Sequence, residues 1–382
     1  MPHNAGNEVL PRLAPDVLLA PGVARKLDMK TNRFQPLDRR RCLQGLAMVG
    51  AGAALGARSL AAQSTQRVPQ RWQQSIRSGL DYLARTQSSR GQWNAPPYPV
   101  ALAALAGTAL LASGSTTTQG PYSKQIARCA DFLISKSRTN GLIGDPGTDI
   151  RYTYGHGFSM LFLSQVLGEE GYEDRRSELL DVLTRSVDFC AKAQTSEGGW
   201  GYVSARDGAN YDEGSTTITQ VQGLRGCRNA GITVPAEVIE SAKKYIYKCQ
   251  NDDGGISYSS KQMGTSRPAI TAAALAALYN AGDYDSKFVP KMLKYARDTL
   301  HNLTDENAAF GHWHYTYLYY SQVVYRQGDE EWLSFRDRLY ERIVSEQESD
   351  GSWKGQISDI YITACNLTML QLDHGLLPIY QR

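Results

Sequence analysis

A seven-residue pattern recurs along this chain: a glutamine, three residues, a glycine, one residue and an aromatic residue. Full copies begin at Gln87, Gln194 and Gln347, and a copy that ends in isoleucine begins at Gln250. Repetition of one short pattern at several places in a chain is typical of an architecture built from stacked, similar units. We therefore predict a repeat protein.

Hydrophobic periodicity predicts helices throughout residues 66–382, with little of the alternation expected for strands. Amphipathic helices alternate with helices that are apolar on nearly all sides. The amphipathic segments are predicted at 72–87, 121–137, 174–194, 235–250, 287–301 and 330–347. The apolar or aromatic segments are predicted at 98–112, 156–168, 215–230, 267–281, 312–327 and 359–372.

A helix that is apolar all round must be buried on every side, whereas an amphipathic helix keeps one face in water. Six pairs of such helices fit two concentric layers, with the apolar helices inside. The predicted fold is therefore all-α, a single (α/α)6 toroid. In each motif the glutamine would end an outer helix, the glycine would supply a positive φ, and the tryptophan would pack between repeats.

The repeated glutamine, glycine and tryptophan on such a double barrel resemble the prenyltransferase and squalene-oxidase repeat of the terpenoid cyclase and protein prenyltransferase superfamily. The resemblance extends over essentially all of residues 66–382. It implies a barrel whose cavity binds isoprenoid molecules. Because one fold hosts several activities, the site residues must decide the chemistry.

Residues 1–62 are predicted to form an export signal. Arg39, Arg40 and Arg41 precede a weakly apolar, Gly/Ala-rich run of about thirteen residues, which is too short to span a bilayer. A small-x-small cleavage site follows at Ser59 to Ala61. This pattern predicts a twin-arginine signal and a periplasmic or extracytoplasmic location. Met29 would be a more natural start than Met1.

Charge argues against nucleic-acid binding. The chain has 41 Lys and Arg against 38 Asp and Glu, and residues 1–62 contain nine of the bases but four of the acids. The remainder is close to neutral and has no basic stripe with interleaved aromatic residues. Five cysteines beyond residue 62 are widely spaced, which is typical of small buried side chains rather than of a metal site. The oligomeric state is left open, as is contact with a membrane surface.

The family resemblance implies that the inner helices begin at one mouth of the barrel, where their N-termini favour negative charge. Site residues are therefore expected near those N-termini. The predicted cavity or ligand-binding residues are Tyr154, His156, His312, His314, Tyr315, Tyr317, Asp359 and Tyr361.

Two segments resemble the zinc site of protein prenyltransferase β-subunits, without its ligands. Residues 359–363 read Asp-Ile-Tyr-Ile-Thr, with Ile362 where the family has histidine. Residues 312–316 read His-Trp-His-Tyr-Thr, with His312 and His314 where the family has aspartate and cysteine. Side chains two residues apart on a helix point about 200° apart. His312 and His314 therefore cannot bind the same metal ion if both lie within a helix. No cofactor and no metal is predicted.

Triterpene cyclases resemble this chain in fold and start their reaction by protonating an alkene from an Asp-x-Asp-Asp motif. That motif is missing here. The nearest equivalent is the pair Asp212 and Glu213, which precedes an inner helix. Adjacent carboxyls raise the pKa of one of them, which suits a general acid. The same residues also suit a plain helix N-cap.

Two functions follow as hypotheses. The first is an exported cyclase-like or prenyltransferase-like protein that holds an isoprenoid or another apolar ligand in a Tyr/His-lined barrel, with Asp212 or Glu213 as the catalytic acid. The second is a non-catalytic lipid- or peptide-binding toroid. The two differ in whether a carboxyl group with a raised pKa faces the cavity.

Overall fold

The computed structural model describes residues 69–94, 96–208, 210–303 and 312–381. The predicted export signal at 1–62 lies outside these residues. The described chain is helical and contains twelve α-helices, which alternate between two layers. The outer helices are α1 Gln70–Thr86, α3 Ser123–Ser135, α5 Glu173–Ala193, α7 Ala236–Lys248, α9 Val289–Leu300 and α11 Asp329–Ser345. The inner helices are α2 Pro99–Ala112, α4 Tyr152–Glu169, α6 Gly214–Asn229, α8 Pro268–Asn280, α10 Trp313–Arg326 and α12 Asp359–Leu370.

The inner helices form a closed ring. Each packs on the next in chain order, and α12 packs back onto α2. Every residue of α8 is buried, as its all-round apolar sequence predicts. The outer helix α1 packs against α12 and α11, which joins the start of the described chain to its end. The predicted (α/α)6 toroid is confirmed.

The glutamine of each repeated motif links neighbouring outer helices. Nε2 of Gln194 donates to the carbonyl of Gly198 (2.8 Å) and to that of Val238 in the first turn of α7 (2.9 Å). The other three copies have the same pair of bonds. The accepting carbonyls belong to the turn and to the start of the neighbouring outer helix, so each glutamine joins two repeats.

The glycine of each motif occupies a place that no other residue fits. Gly198 has a φ of +95°, and a Cβ atom there would lie 2.3 Å from the carbonyl oxygen of Ser241 in α7. Gly141 repeats this geometry, with a φ of +91° and the carbonyl of Arg185 at 2.0 Å from its Cβ position. Gly141 therefore marks a fifth turn of this kind between an outer and an inner helix. The sequence motif did not reveal it, because Ser137 and Ile143 occupy the positions of the glutamine and the tryptophan.

Candidate functional site

A cavity of about 340 Å³ lies at the N-terminal ends of the inner helices. Its lining residues come from equivalent positions near the start of each inner helix. The first layer consists of the N-cap residues of five inner helices, namely Tyr98, Arg151, Glu213, Arg267 and His312.

The second layer comes from the third residue of five inner helices. These residues are Ala101, Tyr154, Ile270, Tyr315 and Tyr361. Four residues further along, Leu105 and Phe158 form an apolar floor. Positions three to four apart share one helix face, so four inner helices, α2, α4, α8 and α10, present both the N-cap and the third residue to the cavity. The site is therefore polar at the helix N-termini and apolar deeper in the barrel.

Glu213 is the one carboxyl group among the described residues that line this cavity. Its side chain is 1% exposed and caps α6. Oε2 accepts hydrogen bonds from the Ser215 hydroxyl (2.5 Å) and from the Thr216 backbone amide (3.0 Å). The carboxyl group is therefore held in one orientation, and Oε1 is the oxygen able to carry an acidic proton.

Burial raises the pKa of Glu213, although Ser215, Thr216 and the nearby Arg151 guanidinium act in the opposite direction. Loss of solvation disfavours the charged form, so the environment of Glu213 promotes a protonated carboxyl group. A general acid needs such a proton at the working pH.

Tyrosines surround this carboxyl group. The Tyr154 hydroxyl is hydrogen-bonded to the Ser215 hydroxyl, and the Tyr315 hydroxyl donates to the Ser215 carbonyl (3.0 Å). The hydroxyls of Tyr202 and Tyr258 are hydrogen-bonded to each other. Burial raises the pKa of Tyr154 and Tyr315 well above the usual value, so both are neutral donors. Their ring faces attract positive charge in the enclosed space.

His312 lies at the mouth of the cavity and is exposed. Partial loss of solvation inside the mouth and the nearby Arg151 charge lower the pKa of His312, so the imidazole is neutral at neutral pH. His312 therefore lines the cavity without adding a permanent charge.

Two predicted cavity residues, His156 and Tyr317, face the outer helices. Nδ1 of His156 accepts a hydrogen bond from the Ile143 amide (3.1 Å), and burial lowers the pKa of this histidine to about 4. The Tyr317 hydroxyl donates to the Leu300 carbonyl (3.0 Å). Each lies two residues after a cavity-lining tyrosine, and this spacing rotates a side chain by about 200° around the helix. The predicted placement was wrong for both.

Three further predictions of placement were also wrong. His314 packs against Trp313. The Asp359 carboxylate is paired with Lys354 (2.6 Å). Asp212 is fully buried, and its Oδ1 accepts hydrogen bonds from the Ser259 hydroxyl (2.8 Å) and the Ser260 amide (3.2 Å). Asp212 therefore secures the loop before α8 and does not open onto the cavity, which leaves Glu213 as the candidate acid.

The cavity residues missed in the sequence include an arginine and three tyrosines. Tyr98 and Arg151 precede α2 and α4 by one residue, and Tyr202 and Tyr258 lie in the loops before α6 and α8. Attention to the N-cap position, one residue before each helix, would have found the first two. Tyr202 and Tyr258 carried no such signal, because the loop path decides where they point.

No group of three or more His, Cys, Asp and Glu side chains is placed to bind a metal ion in the part of the chain described. None of the helices described here combines the length and the apolar character needed to cross a bilayer.

Residues 160–327 match the family model of the squalene-hopene cyclase C-terminal domain. Solved structures of the type II terpene cyclase MstE from Scytonema are similar over 80% of this chain. A variant with merosterolic acid A, described as the product, gives a TM-score of 0.55 at 13% identity and 98% coverage of that chain. A variant with geranylgeranyl dihydroxybenzoate, described as the substrate, gives 0.53 at 14% identity and 98% coverage.

The apo form of that cyclase gives a TM-score of 0.52 at 14% identity, covering 80% of this chain and 99% of the other. The chain therefore has the fold of the terpenoid cyclase and prenyltransferase superfamily. No curated protein matched it in a sequence search. At 13–14% identity, the similarity to this terpene cyclase shows the fold alone. The roles of individual residues must be argued from the cavity itself.

Proposed function

We propose that this protein binds an isoprenoid or a similar apolar molecule in the cavity and protonates an alkene of that ligand from Glu213. The observation that carries the proposal is a buried carboxyl group with a raised pKa, facing a cavity walled by tyrosine rings. The volume lies near the lower end of the roughly 300–1,000 Å³ usual for ligand sites. The solved cyclase with this fold is described with a geranylgeranyl substrate.

The chemistry requires no co-reactant. The O–H bond of Glu213 breaks and a C–H bond forms at one alkene carbon, which leaves a carbocation at the other carbon. A second alkene attacks that cation to close a ring, and loss of a proton gives a neutral isomer of the starting molecule. The faces of Tyr154, Tyr315 and Tyr361 can stabilise the cation.

The environment of Glu213 also stabilises the carboxylate left after proton transfer. Its Oε2 accepts the Ser215 and Thr216 hydrogen bonds, and it stands at the positive end of the α6 dipole. Hydrogen bonds to the charged form strengthen an acid, whereas burial keeps the proton in place until the ligand arrives. Together these two effects would let Glu213 protonate an alkene, as the Asp-x-Asp-Asp motif does in triterpene cyclases.

A non-catalytic binding toroid is the second candidate. One observation favours it: the hydrogen bond from the Thr216 amide makes Glu213 an ordinary N-cap, which needs no catalytic role to explain it. Both candidates share the ligand site and differ in turnover.

Ligand retention tests the site that both candidates share. We expect His312→Ala to reduce the amount of isoprenoid that stays bound, because His312 lines the mouth, while stability changes little. His314→Ala is the matched control, since His314 lies outside the cavity lining two residues away. Native mass spectrometry of protein loaded with geranylgeraniol measures retention. Equal loss in both variants, or a strongly destabilised His312→Ala variant that still binds, would count against the site.

We also propose that the protein is exported through its twin arginines, which precede an apolar run too short to span a bilayer. Residues 29–65 fused to a folded reporter should deliver it across the membrane. Changing Arg39 and Arg40 together to lysine should block delivery, because the guanidinium pair is the recognition element. Cell fractionation measures the outcome, and unchanged delivery of the double variant would refute the assignment.

A further inference from the structure

His312 lies at the same end of the cavity as Glu213. Each is the N-cap of its inner helix, His312 of α10 and Glu213 of α6, and both line the cavity. The Tyr315 hydroxyl, in the first turn of α10, donates to the Ser215 carbonyl in the first turn of α6 (3.0 Å). This bond joins the starts of two helices that are not neighbours in the ring, because α8 lies between them. The imidazole therefore opens onto the same space as the Glu213 carboxyl group.

The imidazole of His312 is an uncharged base in this position. Partial loss of solvation and the nearby Arg151 charge lower its pKa, so the ring is neutral and one nitrogen has a lone pair. Within the described ranges neither ring nitrogen forms a hydrogen bond. The His312 carbonyl accepts the Thr316 amide and hydroxyl, both at 2.9 Å. The residue is thus held by its backbone, while its ring stays free to accept a proton from a bound molecule.

The other polar groups of the described lining are poorer bases, with one exception. The guanidinium groups of Arg151 and Arg267 have no free lone pair. Burial keeps Tyr154 and Tyr315 neutral, and a neutral phenol is a far weaker base than imidazole. The exception is Glu213, which is a carboxylate after it has given up its proton. It is therefore the base with which His312 competes.

We propose that His312 is the base that ends the reaction by removing a proton from the cyclic carbocation. The inference rests on the proposed function and adds a second catalytic residue to it. A C–H bond next to the cationic carbon breaks, its electron pair forms the C=C bond of the product, and the proton binds the imidazole lone pair. The imidazolium then lies near Arg151 and at the positive end of the α10 dipole. Both favour loss of its proton to water at the exposed mouth.

The positions of the acid and the base also limit how many rings form. Each further ring closure moves the cation along the chain, away from the carbon that was protonated first. Glu213 and His312 belong to the N-cap layer, whereas Leu105 and Phe158 form the apolar floor about 10 Å deeper, seven residues along their helices. The described lining has no base at that depth. We therefore expect one ring closure near the mouth and a monocyclic alkene whose remaining chain extends toward the floor.

Product analysis of His312→Gln with geranylgeraniol tests this assignment. Glutamine is polar and of similar size, but its amide is not a base. Substrate consumption should continue, because Glu213 still starts the reaction. Water or a further alkene should then capture the cation. The ratio of monocyclic alkene to alcohol and polycyclic products, measured by gas chromatography and mass spectrometry, should fall by roughly tenfold or more when the general base is lost.

His314→Gln is the matched control, because His314 is the same residue type two positions away but is not part of the cavity lining. It should form the native products in the native ratio. The comparison separates loss of the base in the cavity from any general effect of replacing a histidine at the start of α10.

A second measurement uses the native protein and so does not depend on the folding of a variant. As the pH falls through the lowered pKa of His312, the imidazole gains a proton and loses its free lone pair. Over the same range Glu213 keeps its proton, and Arg151 and Arg267 stay charged, so initiation continues. The share of monocyclic alkene should therefore fall with the pH. In His312→Gln the product ratio should not follow the pH in this way.

Three outcomes would overturn the role of His312. They are native products from His312→Gln, which would leave the Glu213 carboxylate or water as the base, the same change of products in His314→Gln, and a native product with two or more rings. A native protein that consumes no geranylgeraniol, nor its carboxylate and phosphate analogues, would overturn the proposed function itself. The two failures are distinct, because substrate consumption reports on Glu213 and product identity reports on His312.

Discussion

Replacing Glu213 with glutamine should reduce the rate of product formation by about 10²–10⁴-fold, the usual contribution of a positioned general acid. Glutamine keeps the size of the side chain and an oxygen that can accept the Thr216 amide, but it has no acidic proton. Binding of the isoprenoid should be retained. Gas chromatography of extracted products, with geranylgeraniol and its carboxylate and phosphate analogues as substrates, measures the effect.

The matched control for this substitution is Glu170→Gln. Glu170 is also buried and accepts backbone amides, those of Gly171 and Tyr172, but it follows the far end of α4. Its substitution should leave turnover unchanged. Activity of the native protein should also fall as the pH rises through the raised pKa of Glu213, because the acid then loses its proton. Full turnover by Glu213→Gln would exclude Glu213 as the acid.

Gly198→Ala should destabilise the toroid by about 2–5 kcal/mol. A positive φ costs an alanine about 1–2 kcal/mol, and overpacking adds about 1–3 kcal/mol. Overpacking is expected because the new Cβ would lie 2.3 Å from the Ser241 carbonyl oxygen, so that α7 must move. Urea unfolding followed by circular dichroism measures the change in the free energy of unfolding.

Gly231→Ala separates the two contributions. Gly231 has nearly the same φ, +91°, but its Cβ position has nothing within 4 Å. This variant should therefore lose the conformational contribution alone, about 1–2 kcal/mol. If both variants lost the same free energy of unfolding, the close approach of Gly198 to the next outer helix would not contribute to stability.

The sequence was sufficient to predict the fold because the two layers differ in periodicity. An inner helix such as α8 is apolar on every face, while an outer helix such as α1 has one apolar face. This contrast follows from burial and does not depend on precise helix ends. The spacing of the repeated glutamines located the ends of outer helices, but it did not indicate the hydrogen bond from Gln194 to the next outer helix.

The site was predicted less well because a side chain's direction depends on helix phase and on loop path. We had predicted that the second inner helix begins at residue 156, whereas α4 begins at Tyr152. His156 therefore lies in the second turn and faces the outer layer, while Arg151 takes the N-cap place at the cavity. Helix boundaries are the least reliable part of a reading from sequence, and a shift of four residues moves a residue about one turn along the axis. Tyr202 and Tyr258 reach the cavity from loops, which periodicity does not describe.

The most direct test of the central claim is turnover in D₂O. If Glu213 protonates an alkene of a bound isoprenoid, its exchanged carboxyl group will deliver deuterium to the carbon that is attacked first. We expect a cyclic product one mass unit heavier per initiating proton, with the label located at that carbon by NMR, and product formation by Glu213→Gln lower by about 10²–10⁴-fold. Tight isoprenoid binding by the native protein without any product, or a cyclic product with no deuterium, would contradict it.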